Sequence, residues 1–216
     1  MVTNAHRILV VDDDVMICRL VGDILTRQGY ETQTAGSAKE ALEKIHAPGH
    51  LLPDLLVSDI MMPEMDGLEL FETLRKDPKT RHIRVIFLTA KGDDKHRAKA
   101  LMLGCFRFLQ KPSSLKEISQ SVSLCLTDAQ QTQTLLEETD KVTQGTLGPN
   151  TVPSLIDAFI IGLWTGQLWV SDGAQEGKIE FANGRMQFAR FGAREGADAI
   201  EAMLGLKEGS FRTLRD

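Results

Sequence analysis

Residues Ile8-Leu9-Val10-Val11 run directly into Asp12-Asp13-Asp14. A short, unbroken, β-branched apolar run is the pattern of a strand buried on both faces. Acids at its end place negative charge at the carboxyl edge of a parallel sheet, where α/β folds build their sites. Three adjacent carboxylates repel one another. Solvation, a facing helix N-terminus or a cation held among them makes them tolerable.

The next hundred residues repeat the strand theme with helices between. Strand-like runs are read over Arg7–Val11, Tyr30–Ala35, Leu55–Ser58, Val85–Leu88 and Cys105–Leu109. Val15–Gln28 carries Met16, Leu20, Ile24 and Leu25 at helical spacing and ends at Gly29, a C-terminal signal. Ser37 with Glu40 is a capping-box pattern, and Asp66 with Glu69 and Ser114 with Glu117 repeat that spacing. Asp93–Leu103 supplies a fourth helical segment. Five βα units in series predict an α/β fold, a doubly wound five-stranded parallel sheet with right-handed crossovers.

Beyond residue 127 the texture changes. The apolar positions Leu115, Ile118, Val122 and Cys125 continue at heptad spacing into Ala129, Thr132 and Leu136, but lose apolar character over Gln130–Thr134. Two readings stay open there: a solvated helical linker, or a coiled coil that would pair two copies as a homodimer. Gly145, Gly148 and Pro149 break any helix. Pro153–Trp164 then reads as an amphipathic helix and Leu168–Val170 as a strand. Asn183-Gly184 between Lys178–Ala182 and Arg185–Phe191 is a hairpin signal, because a type I′ turn needs positive φ at both positions. Ala197–Leu204 is a short closing helix. The expected organisation is a first domain over 1–127, a linker over 128–145 and a small α+β domain over 146–216.

Bulk properties narrow the function classes. The chain has 216 residues, 42% hydrophobic and 25% charged, which suits globular domains rather than disorder. A net charge of −5 advertises neither a nucleic-acid nor a membrane surface. Residues 150–216 carry seven Lys and Arg against nine Asp and Glu, which disfavours a DNA-reading tail, although Arg185, Arg190 and Arg194 do cluster. Cys18, Cys105 and Cys125 form no CxxC pair, the pattern of a reduced, cytoplasmic protein. No apolar run approaches the ~20 residues of a membrane span. Gly162, Gly166, Gly173, Gly177, Gly184, Gly192 and Gly196 are dispersed and read as turns.

Chemistry concentrates at the ends of the first domain's strands. Asp12 and Asp13 end the first, Asp59 the third, Thr89 the fourth and Lys111 the fifth. A parallel sheet brings these ends to one edge, giving three carboxylates, a hydroxyl and an ammonium. Clustered carboxylates suit a hard divalent cation such as Mg²⁺. A lone Asp can act as a nucleophile toward phosphorus, with the ammonium and hydroxyl spreading charge on the transferring group. Asp59 stands alone on the central strand and is the candidate nucleophile. Asp12 and Asp13 are candidate metal holders, and Asp14 reads as a helix cap.

These residues resemble the receiver domain of two-component response regulators, the family of the chemotaxis protein CheY. The resemblance rests on Ile8–Asp13, on Ser58–Gly67 (Ser-Asp-Ile-Met-Met-Pro-Glu-Met-Asp-Gly), on Leu88-Thr89-Ala90 and on Lys111-Pro112. It implies sheet order 2-1-3-4-5, phosphorylation of Asp59 by a histidine kinase, and Mg²⁺ held by Asp12, Asp13, Asp59 and the main-chain carbonyl of Met61. It also implies Thr89 and Lys111 on the phosphoryl group, a switch aromatic at Phe108, and a cis bond before Pro112. The side chain of Met61 is apolar and should hold neither metal nor a hydrolytic water. The only catalysis implied is of the domain's own phosphorylation and dephosphorylation.

The tail resembles the PATAN family, a small bacterial domain often joined to receivers. The matching residues include Thr165-Gly166-Gln167-Leu168, Gly177-Lys178-Ile179, Asn183-Gly184-Arg185 and Gly209-Ser210-Phe211. What this implies is a protein-interaction output module. The expected function is a bacterial response regulator that switches contacts with a downstream protein; the alternative is a DNA-binding transcriptional regulator. The kinase and the downstream partner are not legible in these residues.

Overall fold

The computed structural model describes residues 6–89, 94–111, 113–126, 144–148, 151–161 and 163–215. The expected linker over 128–145 falls almost entirely outside these residues, as does the bond to Pro112. Packing divides the chain into two units: 1–92 with 107–126, and 93–106 with 127–216.

The first unit holds β1 (Arg7–Val11), α1 (Val15–Arg27), β2 (Glu31–Ala35), α2 (Ala38–His46), β3 (Leu55–Asp59), α3 (Gly67–Lys76), β4 (Arg84–Thr89), β5 (Arg107–Gln110) and α5 (Leu115–Leu126). All strand pairings are parallel and the order is β2-β1-β3-β4-β5. Every residue of β3 is buried, as an interior strand covered on both faces requires. The edge strand β2 is mostly wet, so its sequence could remain polar. Phe71 of α3 meets Phe87 of β4 edge-on at 5.6 Å between centroids. Each such fully buried large side chain contributes roughly 1.5–3 kcal/mol.

The caps form as their spacing suggests, with one variation. Asp66 accepts from Glu69 N at 2.7 Å while Glu69 accepts from Asp66 N at 3.1 Å, a complete capping box opening α3. At α2, Ser37 accepts from Glu40 N, but the Glu40 carboxylate reaches one residue further back, to Gly36 N. Ser114 caps α5 through Glu117 N at 3.1 Å.

The second unit is a six-stranded antiparallel sheet of described residues, ordered β10-β9-β8-β7-β11-β6. Its strands are β6 (Gln144–Thr146), β7 (Gly166–Ser171), β8 (Glu176–Ala182), β9 (Arg185–Phe191), β10 (Arg194–Glu195) and β11 (Ser210–Arg215); its helices are α6 (Thr151–Ile161) and α7 (Gly196–Leu204). Asn183 and Gly184 take φ of 49° and 70°, the positive values their hairpin requires. Leu168, Val170, Ile179, Phe181, Ala189 and Phe191 form the sheet's buried face. The ring of Phe159, from α6, stacks on Trp164 at 4.3 Å, and Phe181 meets both edge-on.

Three features of this unit depart from the sequence expectation. The helix stops at Ile161, not Trp164; Trp164 N donates to Phe159 O and the indole folds back onto the helix. Gly145 reads as a helix breaker but lies in β6, because the Phe211 ring of β11 sits 2.7 Å from where its Cβ would be. The fourth helix, α4 (Asp94–Met102), is encoded between β4 and β5 yet groups with the second unit. It packs against α7 and β9, and Arg97 pairs with Asp157 of α6 at 3.7 Å. Among the described residues, no helix is long and apolar enough to cross a membrane.

Candidate functional site

The carboxyl edge of the first unit's sheet gathers its acids because β1 and β3 are direct neighbours, with Val11 beside Ser58 in register. The next residue on each strand is therefore an aspartate. Asp12 is 1% exposed and Asp59 7%. Asp12 is fixed by its own N–H donating to Ala35 O at 3.2 Å, and its Oδ1 accepts from Asp14 N at 2.9 Å. Asp59 Oδ1 accepts from Ile60 N at 2.7 Å. Lys111 follows β5, and its Nζ donates to Asp12 Oδ2 at 2.7 Å and to Asp59 Oδ2 at 2.9 Å.

Carboxylate oxygens of Asp12, Asp13 and Asp59 all lie within 4.8 Å of one another, with Asp13 open to solvent. At that distance two unit charges repel by about 3 kcal/mol at an effective dielectric of ~20. One ammonium does not balance three carboxylates. Burial pushes the Asp12 carboxyl above its usual range, despite the Lys111 hydrogen bond that works the other way. Burial also pulls down on Lys111, but its hydrogen bonds to Asp12 and Asp59 outweigh that and hold it above the ordinary lysine value. The two directions have different causes: burial favours the proton on Asp12, and the paired carboxylates favour the proton on Lys111. An all-oxygen, incompletely neutralised pocket with one solvent-facing ligand fits a hard divalent ion that keeps several waters.

The remaining expected site residues fall around this cluster. Asp14 turns away and caps α1, accepting from Met16 N at 2.8 Å and Ile17 N at 3.4 Å. Met61 follows Asp59 by two residues, and its side chain is 60% exposed. Thr89 ends β4, the strand beside β3, and pairs with Gln110; its side chain lies outside the described residues. Phe108 is buried at 8% exposure, its ring 6.1 Å from Phe87.

Two further residues, neither of them read as a site residue, support the cluster. Cys18 Sγ donates to the carbonyls of Asp12 at 3.3 Å and Ala35 at 3.4 Å, tying α1 to the turn that carries the acids. A Cβ on Gly67 would sit 2.2 Å from the Asp59 carbonyl oxygen. That glycine lets α3 start against the backbone of Asp59, and Gly67 N donates to Ile60 O at 2.9 Å.

Residues 8–123 match the response regulator receiver domain family. The chain belongs to that family. Its receiver is 37% identical over 114 residues to a probable transcriptional regulator, ycf29, of the alga Porphyra purpurea, covering 53% of each chain. It is 35% identical over 124 residues to the chemotaxis protein CheY of Treponema pallidum, covering 56% of this chain and 83% of that one. Among solved structures, a putative response regulator from Chloroflexus aurantiacus aligns with a TM-score of 0.52 at 33% identity, covering 56% of this chain and 98% of that one. The chain spans only about half the length of the algal regulator it matches. The receiver fold and its place in two-component signalling follow from this kinship; receivers of this family take their signal from histidine kinases and bind Mg²⁺ at an acidic pocket.

Proposed function

We propose that the chain is a phosphorylation-switched adaptor in which a histidine kinase transfers a phosphoryl group to Asp59. The observation that carries this reading is the Asp59 carboxylate, nearly buried, with Lys111 on one oxygen and the Ile60 N–H on the other. In the transfer, an Asp59 oxygen attacks phosphorus, a P–O bond forms, and the bond from phosphorus to the kinase histidine breaks. Lys111 is placed to follow the negative charge onto the phosphoryl oxygens. Asp12, Asp13, Asp59 and the Met61 carbonyl would hold Mg²⁺, whose chemistry is to neutralise the transferring group.

Phosphorylation replaces the single charge of the Asp59 carboxylate with a phosphoryl group carrying about −1.5 to −2, which draws the Thr89 hydroxyl inward and repacks Phe108. Thr89 lies five residues before α4, and α4 packs with the second unit. The domain boundaries we infer are a receiver over 1–127, a linker over 128–145 and a PATAN-like output over 146–216, in a bacterial cytoplasmic protein. The output works by protein contact and not by chemistry of its own.

Incubation with acetyl phosphate and MgCl₂ tests the reading. Wild type should shift on a phosphate-affinity gel and the Asp59→Asn variant should not; uptake by that variant would overturn the mechanism. A DNA-binding output is the second reading, favoured by relatives that are named transcriptional regulators. Duplex binding that weakens with salt would support it, and no binding at low salt would end it.

A further inference from the structure

The outer face of the second unit's sheet is organised in rows that cross the strands. Registers place Gln144, Arg212, Trp169, Lys178 and Arg190 side by side on β6, β11, β7, β8 and β9. The row on one side of it holds Ser210, Ser171 and Glu176, and the row on the other holds Leu214, Gln167, Glu180 and Phe188. Three cations thus flank one indole in a line. Arg212 lies 4.9 Å from the Trp169 ring centre; Lys178 lies 5.4 Å from Trp169 and 5.6 Å from Phe188. Trp169 is only half-buried and Leu214 is exposed, whereas the unit's other tryptophan, Trp164, is in the core.

Beside this row a cleft of about 520 Å³ is lined by Gln144, Trp169, Ser171, Glu176, Ser210 and Arg212. Lys178 is paired with Glu180 at 2.6 Å, while no described carboxylate pairs with Arg190 or Arg212.

We propose that this face docks an acidic segment of a partner protein. The inference names the partner chemistry that the adaptor reading leaves open, and rests on that reading for the partner being a protein. Trp and Arg are the residue types that most often anchor protein interfaces, and here they are adjacent and rimmed by polar groups. Strands lie about 4.8 Å apart, so the line from Arg190 to Arg212 spans roughly 14 Å, the reach of about four to five extended residues. Acidic side chains of such a segment meet Arg190 and Arg212, and its apolar ones meet Trp169 and Phe188. Glu176 and Glu180 favour a peptide over a phosphodiester strand. A peptide offers N–H groups to those carboxylates, while a phosphate backbone offers only like charge.

The test is fluorescence anisotropy of a labelled oligo-glutamate peptide with the full-length protein at low salt. An oligothymidylate and an oligo-lysine peptide run in parallel. The glutamate peptide should bind, and Arg212→Glu and Arg190→Glu should each weaken it at least about tenfold. Arg212→Gln, a change without charge reversal, should weaken it less. Arg185→Glu makes the same charge change outside the row and should leave it unchanged. Absence of binding, tighter binding of the oligothymidylate, or equal weakening by Arg185→Glu would overturn the proposal. Asp59→Asn separates the two claims: peptide binding retained with phosphate uptake lost upholds both, and peptide binding lost in wild type overturns only this one.

Discussion

Lys111→Gln removes the one cation that Asp12 and Asp59 share, and its consequences can be worked through. The ammonium makes two short charge-assisted hydrogen bonds, 2.7 and 2.9 Å, to acids that are almost wholly buried. Such bonds contribute about 1.5–3 kcal/mol each. Lys111 is itself about a quarter exposed, and its desolvation opposes the gain, so the net loss should be about 2–3 kcal/mol. Asp12 then faces Asp59 with no positive neighbour, and two remedies exist. One is a proton: the Asp12 carboxyl already sits above its usual value, through burial. A carboxyl raised on folding contributes stability below its unfolded value near 3.8, and loses it as pH rises through the folded value. The variant should therefore regain stability as pH falls from 7 toward 4. The other remedy is Mg²⁺, which at a hundredfold excess over its dissociation constant stabilises by about 2.7 kcal/mol; the variant should gain more from it than wild type does. Both tryptophans lie in the second unit, so the assay is hydrogen exchange of β1 and β3 amides, with EDTA or MgCl₂. Unchanged exchange in EDTA, or equal rescue of both proteins by MgCl₂, would refute the electrostatic account of the pocket.

Other consequences follow from single contacts. Gly67→Ala drives a methyl group into the Asp59 carbonyl; it should cost about 1–3 kcal/mol and slow phosphate uptake, both measurable against wild type. Cys18, Cys105 and Cys125 are buried, and burial pushes the Cys125 thiol up to about 12. A thiol reagent should thus label none of the three until the protein is unfolded. Because an unfolded thiol ionises near 9, the Cys125 contribution to stability should fall as pH rises from about 9 toward 12. Phe159→Ala opens the Phe159–Trp164–Phe181 cluster; it should cost about 3–5 kcal/mol and shift Trp164 emission to the red.

What could be read in the chain depended on whether the cause was local. The acids at the ends of β1 and β3 were legible because an apolar run ending in Asp states both a strand and its terminus. The hairpin at Asn183-Gly184 was legible because two adjacent residues demand one backbone geometry. Gly145 was not, because its reason is the ring of Phe211, sixty-six residues away. β11 escaped for a related cause: Ser210, Arg212 and Leu214 share its outer face and Phe211, Thr213 and Arg215 the other, so neither face is consistently apolar. The grouping of α4 with the second unit was hidden because Ala98, Ala100 and Leu101 announce a buried face without naming what buries it. Cys18 reads in the sequence only as part of no CxxC pair, and its role on the Asp12 carbonyl appears only once α1 is packed against β1.

The central claim is that Asp59 is the acceptor. Borohydride trapping followed by peptide mass mapping locates an acyl phosphate to one residue. After incubation with a phosphodonor and MgCl₂, the label should fall on Asp59 alone and should disappear in EDTA. Label on Asp12, Asp13 or a residue of the second unit would contradict the account.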